Sequence, residues 1–317
     1  MEIENRSEIL FVYDCKDINP NGDPLDENKP RIDEKTGINI VTDVRLKRTI
    51  RDYFLSIGKD VWIKEVVKEN GELKTREERI EDEGIKTKKD VEKLLDRYID
   101  LRLFGATIAL AKKSKKSGEE SAEEGKPITS ITWTGPVQFR FGRSLNRVGD
   151  AVLIKGTTVM PSKEKKEQGT FTETWILPYS LIAFYGIINE NAAKDTKLKE
   201  EDVRLLLEGM WKGTKNLISR SKVGQMPRLL LRVVYKEKNY HIGDLDKKIK
   251  LEPSAEEEKV RSVKDFKLNV DELVVALAAN KDKIEKVEYC LDPEIVLSKD
   301  IIKELTNCKI KVEGLKF

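Results

Sequence analysis

With the long polar loops set aside, the periodic segments of this chain run strand, helix, strand, strand, helix, strand, an order that few folds accommodate. The first strand is Ile9-Leu10-Phe11-Val12-Tyr13, β-branched and aromatic, ending at Asp14. A polar loop over 16–39 with three prolines and two glycines follows. Thr42 then caps a helix to about Ile57, with Leu46, Ile50, Tyr53, Phe54 and Ile57 on one face. Strand character returns over 128–141, over 151–160 and 170–177 as two arms of a projecting hairpin, and over 228–235 behind a helix at 200–217. The C-terminal part alternates helix 271–280, strand 286–290, helix 298–305 and strand 309–313. The expected class is α+β with a ferredoxin-like core, the arrangement that RNA-recognition domains also use.

The chain has 317 residues, enough to bury a sizeable core as one large domain or two packed ones. Cys15, Cys290 and Cys308 are scattered with no CxxC pair, and His241 is the one histidine. That usage excludes a zinc finger, a haem-type site, a disulfide scaffold and most histidine-based triads, and it fits a reduced, cytoplasmic setting. Residues 1–6 lack a basic stretch followed by an apolar one and do not read as a signal peptide. The longest apolar run, 177–188, is interrupted by Pro178, Ser180 and Gly186. It is shorter than the roughly 20 residues a bilayer needs, so it reads as a buried strand or strand pair. The chain contains no P-loop or GxGxxG, which disfavours a nucleotide-hydrolysing motor.

Lys and Arg number 60 against 57 Asp and Glu, so any affinity for an anionic polymer must come from how charge is arranged. Two stretches are free of acids. Residues 125–149 carry Lys126, Arg140, Arg143 and Arg147, and residues 209–235 carry Lys212, Lys215, Arg220, Lys222, Arg228 and Arg232. A phosphate-binding surface needs such stretches, because a nearby carboxylate cancels the Coulomb gain; the alternative is a solvated basic face with acids supplied by other segments. By contrast, residues 64–97 mix 10 basic with 11 acidic side chains. On the first helix, Arg45, Lys47, Arg48 and Arg51 lie opposite the apolar face with only Asp52 to compensate them. A bound polyanion would turn that repulsion into a gain; an ordinary basic surface helix is the competing reading.

The loop Asp17-Ile18-Asn19-Pro20-Asn21-Gly22-Asp23 imitates the start of a calcium-binding loop, but a strand precedes it, Pro20 interrupts it and position twelve is Asn28. It reads instead as a turn held by Asn and Asp side chains, with Gly22 at positive φ. No metal or other cofactor is expected.

Residues 5–53, which contain NPNGDP and TDVRLKR, resemble the CRISPR RNA-binding backbone subunit of type I Cascade complexes, nearest its I-B and I-C branch. TGPVQFRFGRSLNRV (134–148), GTTVM (156–160) and TFTETWILPYSLIAFYGIIN (170–189) extend the resemblance to about Tyr235; beyond Leu251 it is less distinctive. It implies a hand-shaped protein. The ferredoxin-like palm comprises 1–58, 127–142 and 170–250, the helical finger insertion 59–126, and the thumb hairpin 143–169. Residues 251–317 form a C-terminal α/β extension that completes the palm.

The resemblance also implies a multicopy, non-catalytic scaffold in which copies stack head to tail along the guide RNA. The guide then pairs with target DNA, other Cascade subunits are further partners, and no membrane is involved. Its candidate RNA contacts here are Asn19, Asn21, Arg45, Lys47, Arg48, Arg51, Gln138, Arg140, Arg143, Ser144, Arg220, Lys222 and Arg228. Met160 joins them as an apolar wedge, with Lys163, Lys165 and Lys166 on nearby phosphates. A scaffold that accepts any guide grips phosphate and 2′-hydroxyl groups and ignores base edges. The alternative is a metal-dependent RNA endonuclease of the same fold, like the backbone subunits of type III complexes, using Asp23 or Asp43. A sequence-specific RNA-recognition module is disfavoured, because the first strand lacks the aromatic pattern it needs.

Overall fold

A computed structural model describes residues 1–85, 88–109, 130–157 and 171–317. Strand β1 (Ser7–Ile18) is followed by the short β2 (Gly22–Asp23), β3 (Lys29–Pro30) and β4 (Ile32–Asp33), then β5 (Ile38–Val41) and helix α1 (Asp43–Ser56). Helices α2 (Arg76–Asp82), α3 (Lys88–Arg97) and α4 (Ile99–Phe104) precede a hairpin of β6 (Gly105–Ala109) and β7 (Ser130–Thr134). Next come β8 (Val137–Phe139), β9 (Gly142–Arg147), β10 (Val152–Thr157) and the 18-residue β11 (Phe171–Ile188). Helices α5 (Glu190–Thr196) and α6 (Glu200–Glu208) lead through a π-turn at Gly209–Gly213 into β12 (Gln225–Tyr235). The C-terminal part holds β13 (Lys250–Pro253), β14 (Phe266–Asn269), α7 (Asp271–Ala279), β15 (Ile284–Leu291), α8 (Ile301–Asn307) and β16 (Val312–Gly314).

The main sheet has the order β16-β15-β12-β1-β11-β9-β5-β4, with β8 and β10 also paired to β11. Its centre, β12-β1-β11-β8, is antiparallel throughout, and β16 alone joins parallel, at β15. Side chains alternate across β1 with the period of two that strands impose. Ile9, Phe11, Tyr13 and Cys15 meet α1 and α6 through Leu46, Ile50, Phe54, Val203 and Leu206. Leu10 and Val12 face a second core built with Leu251, Phe266, Leu273 and Leu305 of the C-terminal part. Both faces of the central strands are therefore covered. A third, smaller core (Trp62, Ile80, Val91, Leu95, Tyr98, Leu101) lies within the segment after α1.

Several expected boundaries move. β1 continues past Asp14 to Ile18, because Asp14 is buried on Arg228 and Tyr179 instead of ending the strand. The run 177–188 is a single strand, not a pair, and it extends back to Phe171. Pro178 survives inside it because Asp17, at φ 55°, stands opposite in β1 where the ladder is interrupted. The stretch 128–141 divides into β7 and β8, which belong to different sheets. The helix placed at 200–217 breaks into a π-turn where Gly209 and Gly213 approach Ile50, Tyr53 and the carbonyl of Thr49 on α1. The last helix starts at Ile301, and Ile57 is 40% exposed instead of lying on the buried face of α1.

The two arms of the expected hairpin are present as β10 against the first six residues of β11, Val152↔Ile176 through Thr157↔Phe171. β9, at the start of the stretch assigned to the thumb, pairs with β5 and β11 in the main sheet. Gly142 of β9 lies against the ring of buried Phe184, where a Cβ would overlap it. Gly142→Ala is expected to cost about 1–3 kcal/mol by overpacking. Urea unfolding checks this, and a wild-type midpoint would refute it.

Candidate nucleic-acid interface

The polar motif after β1 is a structural hub. Asn19 is buried, with Nδ2 donating to the Asn28 carbonyl at 2.6 Å, while its backbone N–H reaches the Ser221 carbonyl at 2.9 Å. Asn21 Oδ1 accepts from both the amide and the hydroxyl of Thr42 at 2.9 Å. Thr42 is thus the N-cap of α1 by position, but its side chain serves Asn21 and makes no cap bond. Asp23 holds Arg31 and accepts the Leu25 amide at 3.0 Å. The expected Asn and Asp turn is present, with one correction. Gly22 does not take positive φ; it is glycine because a Cβ would collide with Asn28. Asn19 and Asn21 therefore position the loop 217–224 and α1 relative to each other.

Two cations stand at that junction. Arg45, on α1, donates Nη2 to Thr49 Oγ1 at 3.0 Å and leaves Nε buried without a partner. Burial pulls its guanidinium below the ordinary value, against the field of Asp52. Lys222 donates Nζ to the Asn19 carbonyl at 2.8 Å. Burial first, and then the positive charge of Arg45, pull its ammonium down to about 8. Among the described residues neither cation has a carboxylate within ion-pair distance. Nearby, exposed Arg220 reaches Thr172 Oγ1 at 3.1 Å, toward the outer end of the described hairpin arms, and has no ion pair among the described residues. Ile218 and Val223 are 78% and 52% exposed in the same loop. Arg143 is exposed on β9, also without an ion pair among the described residues.

The other expected contacts are engaged within the chain. Asp52 is not the sole compensation on α1. Lys47 meets Asp43 at 3.0 Å and Gln138 Oε1 at 3.3 Å, Arg48 meets Asp52 at 2.8 Å, and Arg51 meets buried Asp100 at 2.8 Å. Gln138 also donates to the Gly135 carbonyl at 2.9 Å. Arg140 is held by Asp244 and Asp246 and stacks over Tyr185. Two residues leave the surface altogether. Arg228 is buried in a network with Asp14, Asp292 and Glu294, and Ser144 is buried with its hydroxyl between the Asn39 amide and the Asn146 carbonyl. Met160, Lys163, Lys165 and Lys166 lie outside the described residues.

Folding adds charge that sequence order hides. A cleft of about 1020 Å³ runs along the outer face of α1, where Lys47, Arg48 and Arg51 meet Lys64, Lys74, Arg76 and Arg79, with Glu65 and Glu77 also on its wall. In the sequence those four basic residues sit among equally many acids. Asp60 and Asp82 take up Lys64 and Lys74, and Arg79 lies over the Trp62 ring. Asp23 and Asp43, weighed above as metal-binding aspartates, hold Arg31 and Lys47. Among the described residues no three His, Cys, Asp or Glu are grouped so as to hold a metal ion, and no helix is long and apolar enough to cross a membrane.

The sequence matches the family described as CRISPR-associated protein Cas7 over residues 5–271. A curated CRISPR-associated protein Cas7 of Haloferax volcanii is 38% identical over 305 residues, covering 92% of this chain and 88% of its own. Among solved structures, a chain of a CRISPR RNA-guided surveillance complex caught pre-nicking superposes with a TM-score of 0.50. It is 12% identical and covers 96% of this chain and 99% of its own, a likeness of fold.

Proposed function

The chain belongs to the CRISPR-associated Cas7 family, and from that premise we propose that it is a non-catalytic backbone subunit of a type I surveillance complex. It grips the guide RNA through phosphates, irrespective of sequence, and presents it for pairing with target DNA. The observation that carries this reading is the pair Arg45 and Lys222, half-buried cations fixed by neutral contacts and without a carboxylate partner among the described residues, with Arg220 exposed in the same loop. Most other basic groups named above are neutralised inside the chain, so this junction is where an anion gains most. The order β12-β1-β11-β8 with α1 and α6 on one face supports a ferredoxin-like palm. Its other face, which an RNA-recognition domain uses to stack bases, is packed under the C-terminal part, in keeping with indifference to sequence. In this reading residues 59–126 are the finger and 143–169 the thumb. Copies associate head to tail on the RNA, alongside other subunits of the complex, in the cytoplasm.

Binding of the purified chain to oligoadenylate, oligouridylate and a mixed-sequence RNA of equal length tests the proposal. Expected are affinities within roughly threefold of one another, falling steeply with salt, and RNA that stays intact in magnesium. Absence of binding, a preference of about 100-fold for one sequence, or cleavage at regular spacing would each overturn it.

A further inference from the structure

We propose that Arg45 and Lys222 together form one oxyanion seat, which takes a single phosphodiester of the bound RNA and draws a proton onto the Lys222 amine as it does so. The inference rests on the reading of the chain as an RNA-binding backbone subunit and specifies the ligand group and its linkage at that site.

The argument begins with what each cation lacks. An ammonium has three donors, and Lys222 commits one, to the Asn19 carbonyl. A guanidinium has five, and Arg45 commits one side to Thr49 while its buried Nε has no acceptor. Two partly desolvated cations that repel one another are costly to hold together, and they persist only where the surrounding structure fixes them. The structure does fix them. Arg45 is anchored on α1, which Asn21 ties to the motif loop through Thr42, and the Asn19 amide clasps the Ser221 carbonyl one residue before Lys222. Among the described residues, the charged or titratable groups whose field acts on Lys222 are Arg45 from α1 and Cys15 from β1. Cys15 is fully buried with its thiol pushed far up, so it stays neutral and supplies no counter-charge. Tyr13 of β1, which faces Arg45, is likewise buried and held as the phenol. Asp52, the acid that acts on Arg45 among the described residues, is bonded to Arg48.

A phosphodiester oxygen supplies what is missing. It accepts from both cations, its negative charge cancels their mutual repulsion, and it carries no proton of its own to give. The unbound site holds Lys222 half-protonated near pH 8. A bound phosphate favours the charged ammonium, so the balance is closed by one solvent proton moving onto the free amines at binding. Affinity then falls as pH rises from 7 to 9, by roughly tenfold per seat if the bound ammonium titrates well above 9.

The test is calorimetric titration of the full chain with oligoadenylate at pH 8, in two buffers of different ionisation enthalpy, since adenine does not titrate there. Expected is uptake of about half a proton per bound subunit. In Lys222→Arg, whose side chain keeps its charge at every working pH, binding persists and the uptake vanishes. Arg45→Met provides a second arm should the arginine not fit. It removes the repulsion, so it lowers the uptake at pH 8 while weakening binding. RNA bound with no proton uptake, or with uptake unchanged in both variants, overturns the seat while the RNA-binding reading stands. Wild-type protein that binds no RNA overturns both.

Discussion

Asp100→Ala is expected to destabilise the protein by about 3–5 kcal/mol, among the largest effects of any single substitution here. Asp100 is completely buried. Its carboxylate accepts from Arg51 Nε at 2.8 Å, from the Trp62 amide at 2.7 Å and from the Ile63 amide at 3.1 Å. Those three donors come from α1 and from the chain segment that begins the smaller core, so one side chain joins two separately packed parts. Removing it strands a guanidinium that is only 13% exposed and two backbone N–H groups, and each loses a partner that water cannot easily replace. Asp100→Asn keeps the shape but offers one acceptor where two are needed, and should recover less than half of the loss. Urea unfolding monitored by tryptophan fluorescence checks both, since Trp62 lies beside the lesion. An Asp100→Ala midpoint within experimental error of wild type would refute the role assigned to this residue.

The second large effect is on binding. Reversing charge at Arg45 and Lys222 together, as Arg45→Glu with Lys222→Glu, should weaken RNA affinity roughly 100-fold or more, equally for all sequences. The salt slope should flatten by about one unit or less, because single-stranded nucleic acid releases about 0.7 of a counterion per phosphate contact. Sequence alone favours Arg45 with Arg48 for this experiment. The structure exchanges the second member, since Arg48 is already bonded to Asp52 on an exposed helix face. The Arg48→Glu variant is therefore the internal control and should change affinity by no more than a few-fold. If Arg48→Glu weakens binding as much as the Arg45 and Lys222 pair does, the track lies along the outer face of α1 and its cleft.

The contrast between those two arginines explains what the sequence made legible. Arg45 and Lys222 were marked by local signals, an apolar helix face and an acid-free stretch, and the structure brings these signals together across 177 positions of sequence. Lys47, Arg48 and Arg51 carried the same local signal. Their partners were legible only in part, because Asp43 and Asp52 lie one helical turn away whereas Asp100 arrives from another core. Arg228 sat in an acid-free stretch and still ended in a buried ion network. Its acids, Asp14 on β1 and Asp292 just past the end of β15, are brought beside β12 only by the sheet order. Secondary structure followed the same rule. Amphipathic α1 was visible from its period, and the two hairpin arms from their alternation. β1 was read short because a buried aspartate looks the same in sequence as a strand end. Its neutralising partners, Arg228 and Tyr179, are more than 160 positions away.

The length of β11 has a mechanical consequence. Eighteen extended residues span about 60 Å. Of the last twelve, all but Pro178 are paired with the central strand, and the first six form one arm of the hairpin on the same continuous backbone. A push on the described part of that arm passes along one backbone, by way of Pro178, into a ladder whose strands are buried on both faces. The described arm is a cantilever rooted in the core, and what resists a load on it is the central sheet itself.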